Sequence, residues 1–141
     1  MQKLHSILFF FIVTYLTSCT SSPSTYPTNM QKAENYMNTR PDSALILLQG
    51  LADSISIYPE ETQMYWHLLT IQAKDKQYIV HTSDSLINRI VRFYEGYGDK
   101  EKLMMAYYYK GRVYRDMNDA LKALKAFHQA YMRERLWIPA N

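Results

Sequence analysis

Residues 107–130 constrain this chain more than any other stretch. They read Tyr-x2-Lys-Gly-x2-Tyr, a short gap, then Ala-x3-Phe-x2-Ala. Leu103, Ala106, Tyr107, Gly111, Tyr114 and Met117 recur at steps of three and four, which puts them on one helix face. Leu121, Leu124, Phe127 and Tyr131 repeat that spacing on a second helix, with Ala123 and Ala130 beside them. Small residues at Gly111, Ala123 and Ala130 allow two antiparallel helices to approach closely, and Tyr107, Tyr114 and Phe127 fill the space around the contact. Met117-Asn118-Asp119-Ala120 supplies the turn, because Asn tolerates a left-handed helix end and Asp119 can cap the next helix. Of Tyr107-Tyr108-Tyr109, only Tyr107 falls on the expected core face.

Amphipathic helices fill most of the preceding sequence. A first is expected from Asn29 to about Thr39, ended by Pro41, since the residue before proline avoids helical angles. A second starts at Asp42 or Ser43 and carries Ala44, Leu45, Leu47, Leu48 and Leu51. A third opens at Pro59-Glu60-Glu61, with proline in the first turn and two acids at the positive helix end. It carries Met64, Tyr65, Leu68, Leu69, Gln72 and Ala73. A fourth starts near Ser83-Asp84-Ser85 and carries Leu86, Ile87, Ile90, Val91 and Tyr94, with Gly96 and Gly98 as its stop. Asp42-Ser43-Ala44-Leu45 is echoed by Asp84-Ser85-Leu86-Ile87, 42 residues later. The expected architecture is all-α, with about three stacked antiparallel helical hairpins over residues 29–135.

The pattern in residues 104–135 resembles a tetratricopeptide repeat, a helix–turn–helix unit of 34 residues with the signature W-x2-L-G-x2-Y…A-x3-F…P. Tyr107, Gly111, Tyr114, Ala123, Phe127 and Ala130 carry the likeness. Lys110 stands where the pattern has Leu and Arg135 where it has Pro; the Lys110 stem can lie along the core with its charge in water. An ordinary helical hairpin is the plainer reading of the same residues. The resemblance implies an α-solenoid that binds proteins through a concave surface lined by the first helix of each unit. Carried onto this chain, it nominates Met105, Tyr108, Arg112 and Arg115, and more loosely Trp66 and Thr70 in the middle unit. Aromatic and Arg side chains suit a protein or peptide partner. The plainer reading of Arg112 and Arg115 is a solvated face with Asp116 as a nearby partner.

The N-terminus gives an address. Lys3 precedes an apolar run from Ile7 to Leu16 broken only by Thr14 and Tyr15, short for a membrane span and suited to a signal peptide. Leu16-Thr17-Ser18-Cys19 follows and resembles a lipobox, which implies cleavage after residue 18 and lipid on Cys19. Cys19 is the only cysteine, so no intramolecular disulfide can form. A plain secretory signal followed by a chance cysteine is the alternative. Lipid chains would hold the mature protein on a membrane surface; by resemblance this is the periplasmic face of the outer membrane of a Gram-negative cell. Thr20 follows Cys19, so the Asp that retains some lipoproteins in the inner membrane is missing. Residues 19–28, polar and containing proline, are expected to be a flexible tether.

Little points to chemistry. Losing Lys3 takes the net charge from +3 to +2, too weak to imply nucleic acid. His67, His81 and His128 lie on different expected elements without metal-ligand spacing and read as surface or boundary residues. No nucleophile elbow, phosphate loop or dinucleotide fingerprint occurs. No catalytic residue, metal or cofactor is expected. The sequence-level expectation is a membrane-anchored scaffold, with the sensor portion of a larger regulatory protein as the alternative and a periplasmic enzyme as a weak third. The last helix is expected to leave an apolar side uncovered, over which the 136–141 tail folds back in one reading; in the other the chain is a shortened form of a longer one.

Overall fold

The computed structural model describes residues 26–137. The lipobox and Cys19 lie outside the described residues. Six α-helices follow in order: α1 Thr28–Tyr36, α2 Pro41–Gln49, α3 Glu60–Lys76, α4 Ser85–Tyr97, α5 Lys100–Asp116 and α6 Ala120–Trp137, with a 3₁₀ turn at Ile55–Ile57 before α3. The described chain is therefore all-helical, and every helix packs on its successor. None of the described helices is long and apolar enough to cross a membrane.

Side-chain contacts fix the directions. Trp66 Nε1 donates to the Leu48 carbonyl and Gln77 Nε2 to that of Pro41, so α2 and α3 run antiparallel. Along α5 and α6, Arg133 lies over Tyr107, Phe127 faces Gly111, and Lys122 lies over Tyr114, again antiparallel. The odd helices run parallel: Tyr65 on α3 donates to Glu34 on α1, while Arg112 on α5 reaches Asp75 on α3 and Lys102 reaches Glu61. The chain thus zigzags, with α1, α3 and α5 side by side.

The helix in the middle, α3, is buried on several sides at once: Thr62, Met64, Leu68, Leu69 and Ile71 are all almost inaccessible. Expected core residues Ala44, Leu45, Leu48, Leu51, Ile87, Ile90, Val91 and Tyr94 join it in one cluster. α6 is held differently. Its buried residues are alanines, Ala123, Ala126 and Ala130, and with Phe127 and Tyr114 the first two form a small separate cluster.

Several boundaries and faces differ from expectation. α1 stops at Tyr36, and Pro41 is the first residue of α2, where its missing N–H costs nothing. Gly96 lies inside α4; only Gly98, at φ +90°, ends it. Tyr26, assigned to the tether, is half-buried and donates to Glu61 while its ring packs on Tyr65. Burial and that carboxylate push its phenol up to about 12. Tyr109, not Tyr107, is the deeply buried member of the tyrosine run; Tyr107 is half-buried and Tyr108 exposed. A turn of 100° per residue points Tyr109 back toward α3 and Tyr107 toward α4, so the core face of α5 is broader than one stripe. Met117, Leu121, Leu124 and Tyr131 are exposed, not core. Other local expectations hold: Asn118 is left-handed at φ 60° and Asp119 accepts from the Lys122 N–H. The Lys110 ammonium, expected in water, instead sits over the Tyr107 and Tyr114 rings.

Gly111 is where α5 and α6 come closest. A Cβ there would lie 2.5 Å from the Phe127 ring. Alanine gains about 1 kcal/mol of helix propensity but overpacks the contact by about 1–3 kcal/mol. Gly111→Ala is expected to destabilise by about 1 kcal/mol, and Phe127→Ala in the same chain to relieve the overpacking. Additive losses in a chemical-denaturation cycle would refute the close contact.

Candidate functional site

The four side chains nominated on α5 divide into two groups. Met105 and Tyr108 line an open hollow of about 490 Å³ with Met104, Tyr109, Phe127 and Tyr131. Gln72 of α3 closes one side, and Glu101 and Glu134 stand on the rim. A second hollow of about 410 Å³ continues from Phe127 past Ala123 and Leu124 to Arg115 and Asn118. The two form a run along α5 and α6 because α6 packs through alanines: short side chains bring the helices together while Phe127 is left between them. Tyr108 and Phe127 rings lie 5.7 Å apart, and Tyr108 meets Tyr109 edge-on at 5.1 Å. Tyr108 and Tyr131 remain 44% and 53% exposed, so the lining presents apolar surface to solvent.

Arg112 and Arg115 are held in ion pairs, although Arg115 also borders the second hollow. Arg112 Nε donates to Asp75 at 2.7 Å, and Arg115 bridges Asp75 and Asp116 at 3.4 and 2.7 Å. Carboxylates of the fold thus meet both guanidinium groups: Arg115 pairs with Asp116 as the plainer reading had it, while the partner of Arg112 is Asp75, which the sequence pattern did not indicate. A signal existed: Asp75 sits in the last turn of α3 beside Lys74 and Lys76, where an acid opposes the helix dipole and calls for a cation from outside. Asp75 hydrogen-bonding raises the already high Arg112 pKa further.

The same network reaches the α3–α4 loop. His81 donates its backbone N–H to Asp116 at 3.1 Å, and its ring Nδ1 lies 2.9 Å from the same oxygen. Burial alone would raise the Asp116 carboxyl, but hydrogen bonds from Arg115 and His81 outweigh it and hold the group below its ordinary value. His67 is half-buried beside Trp66, and burial, then Arg89, depresses its pKa; His128 is exposed. Trp66 and Thr70 do not reach the hollow: the Trp66 indole is bonded to α2 and the Thr70 hydroxyl to the Trp66 carbonyl. Gln72 is the α3 contribution instead. Among the described residues no three His, Cys, Asp or Glu side chains are placed to hold a metal ion.

Removing the Asp75 charge leaves Arg112 without its partner, while Arg115 keeps Asp116. Arg112 remains about a quarter exposed, so water recovers part of the loss. Asp75→Asn is expected to destabilise by about 2 kcal/mol in urea unfolding. Asp116 carries the pH dependence: a carboxyl depressed in the fold stabilises fully above its unfolded pKa of about 3.9 and progressively less as pH falls through its lower folded value. The Tm difference between wild type and Asp116→Asn should therefore close as pH drops from about 4 toward about 2. A difference independent of pH would remove Asp116 as the source.

Set against known protein families, curated proteins and solved structures, the chain matches none.

Proposed function

We propose that this chain is a membrane-tethered helical-repeat scaffold in the periplasm that holds a protein segment along its last hairpin. The observation that carries this reading is the apolar run between α5 and α6, where Tyr108 and Tyr131 are exposed above the half-buried Met105 and Phe127 with no further helix over them among the described residues. Aromatic anchors in a concave setting are what a peptide-binding surface needs. Glu101 and Glu134 on the rim form no ion pair among the described residues. The segment that fits is apolar with basic flanks, not the acidic one that free arginines would have selected.

A tetratricopeptide-like stack is supported by the zigzag itself. Polar contacts join residues 31 apart from α1 to α3 and 37, 40 and 41 apart from α3 to α5, while Tyr26, just before α1, meets α3 at an offset of 35. Those offsets bracket a repeat of about 34 residues. The lipobox resemblance supplies the tether, with Cys19 as the lipidated residue.

Two experiments test the proposal. A photo-crosslinker at Tyr108 in native envelopes is expected to trap a partner that one at Ser56 does not. Tyr108→Ala should weaken capture by about 2 kcal/mol, and Glu101→Lys with Glu134→Lys should weaken it in a salt-dependent way. Equal capture at both positions would move the site off α5. Separately, radiolabelled palmitate should enter the wild-type chain and not Cys19→Ser; label in both would remove Cys19 as the attachment point.

A further inference from the structure

The α3–α4 loop presents three consecutive apolar side chains to solvent. Tyr78 is 89% exposed, Ile79 43% and Val80 64%. The backbone beneath them is fixed. Tyr78 N–H donates to the Asp75 carbonyl and Ile79 N–H to that of Lys74, the paired bonds of a left-handed helix end. The Gln77 side chain reaches the Pro41 carbonyl on one side, and His81 is bound to Asp116 on the other.

Tyr78 sits in this turn at φ 60°. A side chain with Cβ is strained there, and glycine or asparagine is the usual occupant. The next odd helix shows the alternative within the same molecule: α5 ends in the same pair of bonds, and its left-handed residue is Asn118. In the second hairpin the fold carries a strained tyrosine that packs against almost nothing. Backbone strain retained without a packing return points to a use outside the fold.

The geometry points to a lipid bilayer as the partner of this loop. The tip offers on the order of 400 Å², far below the roughly 1,200–2,000 Å² of a stable protein interface. A bilayer accepts so small a wedge, with tyrosine at the headgroup level and the aliphatic pair below it. The charges agree. Lys74, Lys76 and Arg40 border the loop without an ion pair among the described residues, against the exposed Asp42. Asp75 and Asp116, the carboxylates beneath it, are already neutralised by arginine, which leaves Asp42 and Asp84 against the three cations. The surroundings suit anionic headgroups. This contact is independent of lipid on Cys19 and of a ligand between α5 and α6. It would set the orientation of the stack on the membrane.

Position-specific fluorescence on the mature chain, residues 19–141 without the apolar Ile7–Leu16 run, tests it. In a Cys19→Ser background, Ile79→Cys or Ser56→Cys carries an environment-sensitive label; Ser56 lies before α3, at the opposite end of that helix. Protein is floated with vesicles of phosphatidylethanolamine and phosphatidylglycerol, and the floated fraction is read. The label at 79 should shift to the blue and be quenched by nitroxide lipids, while the label at 56 stays in water. Tyr78→Asn with Val80→Asn should weaken the floated fraction roughly ten-fold. Tyr78→Asn alone should raise Tm by a few degrees, since Asn relieves the turn. Equal, wet signals at 79 and 56, or a chain that does not float, would overturn the proposal. A label at 79 that is dry without vesicles, in a concentration-dependent manner, would overturn it in favour of a protein contact. A fall in Tm for Tyr78→Asn would show that the tyrosine serves the fold, and would overturn it as well.

Discussion

Packing α3 between its neighbours buries a carboxylate, and much of the C-terminal half depends on how that charge is met. Asp75 is only 6% exposed, and an unpaired carboxylate at that depth is strongly disfavoured. Arg112 and Arg115 supply the countercharge from the next odd helix. In doing so they fix the lateral register of α5 against α3. Arg115 then carries the connection to Asp116, and Asp116 to the backbone and ring of His81. One chain of charge-assisted hydrogen bonds thus links α3, α5 and the loop before α4. An apolar contact could have supplied comparable attraction, but not the same geometric specificity.

The attachment of α6 follows a different rule. Alanine burial contributes little apolar area per residue, so α6 is held by proximity more than by bulk. The close approach at Gly111 makes that proximity attainable, and Phe127 occupies the room that the missing Cβ leaves. Larger side chains of α6, Leu121, Leu124 and Tyr131, turn outward as a consequence. The same packing choice that joins the two helices therefore leaves the apolar surface on which the proposed binding role rests.

Helix ends decide what the edges of the stack look like. Parallel odd helices place their C-terminal turns along one edge, with the arginine–aspartate network beneath. At the other edge Tyr26, Tyr65, Glu34, Glu61, Asp99 and Lys102 form a second polar cluster around two rings tilted against each other. Charges cross between helices at both ends while the middle is apolar, so sliding one odd helix along another would disrupt both edges.

Apolar spacing, proline, glycine and capping residues determined on their own that this chain makes helices, roughly where each begins, and that α5 and α6 pair through Gly111, Ala123 and Ala130. Those are local properties: a 3.6-residue period, a left-handed Asn118 and an Asp119 cap are written within a few residues of one another. Periodicity could not choose between Tyr107 and Tyr109, because both flank the apolar arc and only the position of α3 decides which is enclosed. Nor could it pair Arg112 with Asp75, 37 residues away, when Asp116 stood nearer in sequence. Met105 and Tyr108, which only the repeat resemblance nominated, line the hollow, yet Gln72, Phe127, Tyr131 and the acidic rim entered only once three helices were brought together. Which face is buried and which charge is neutralised depends on neighbours in space, and that is the part tertiary structure alone decided.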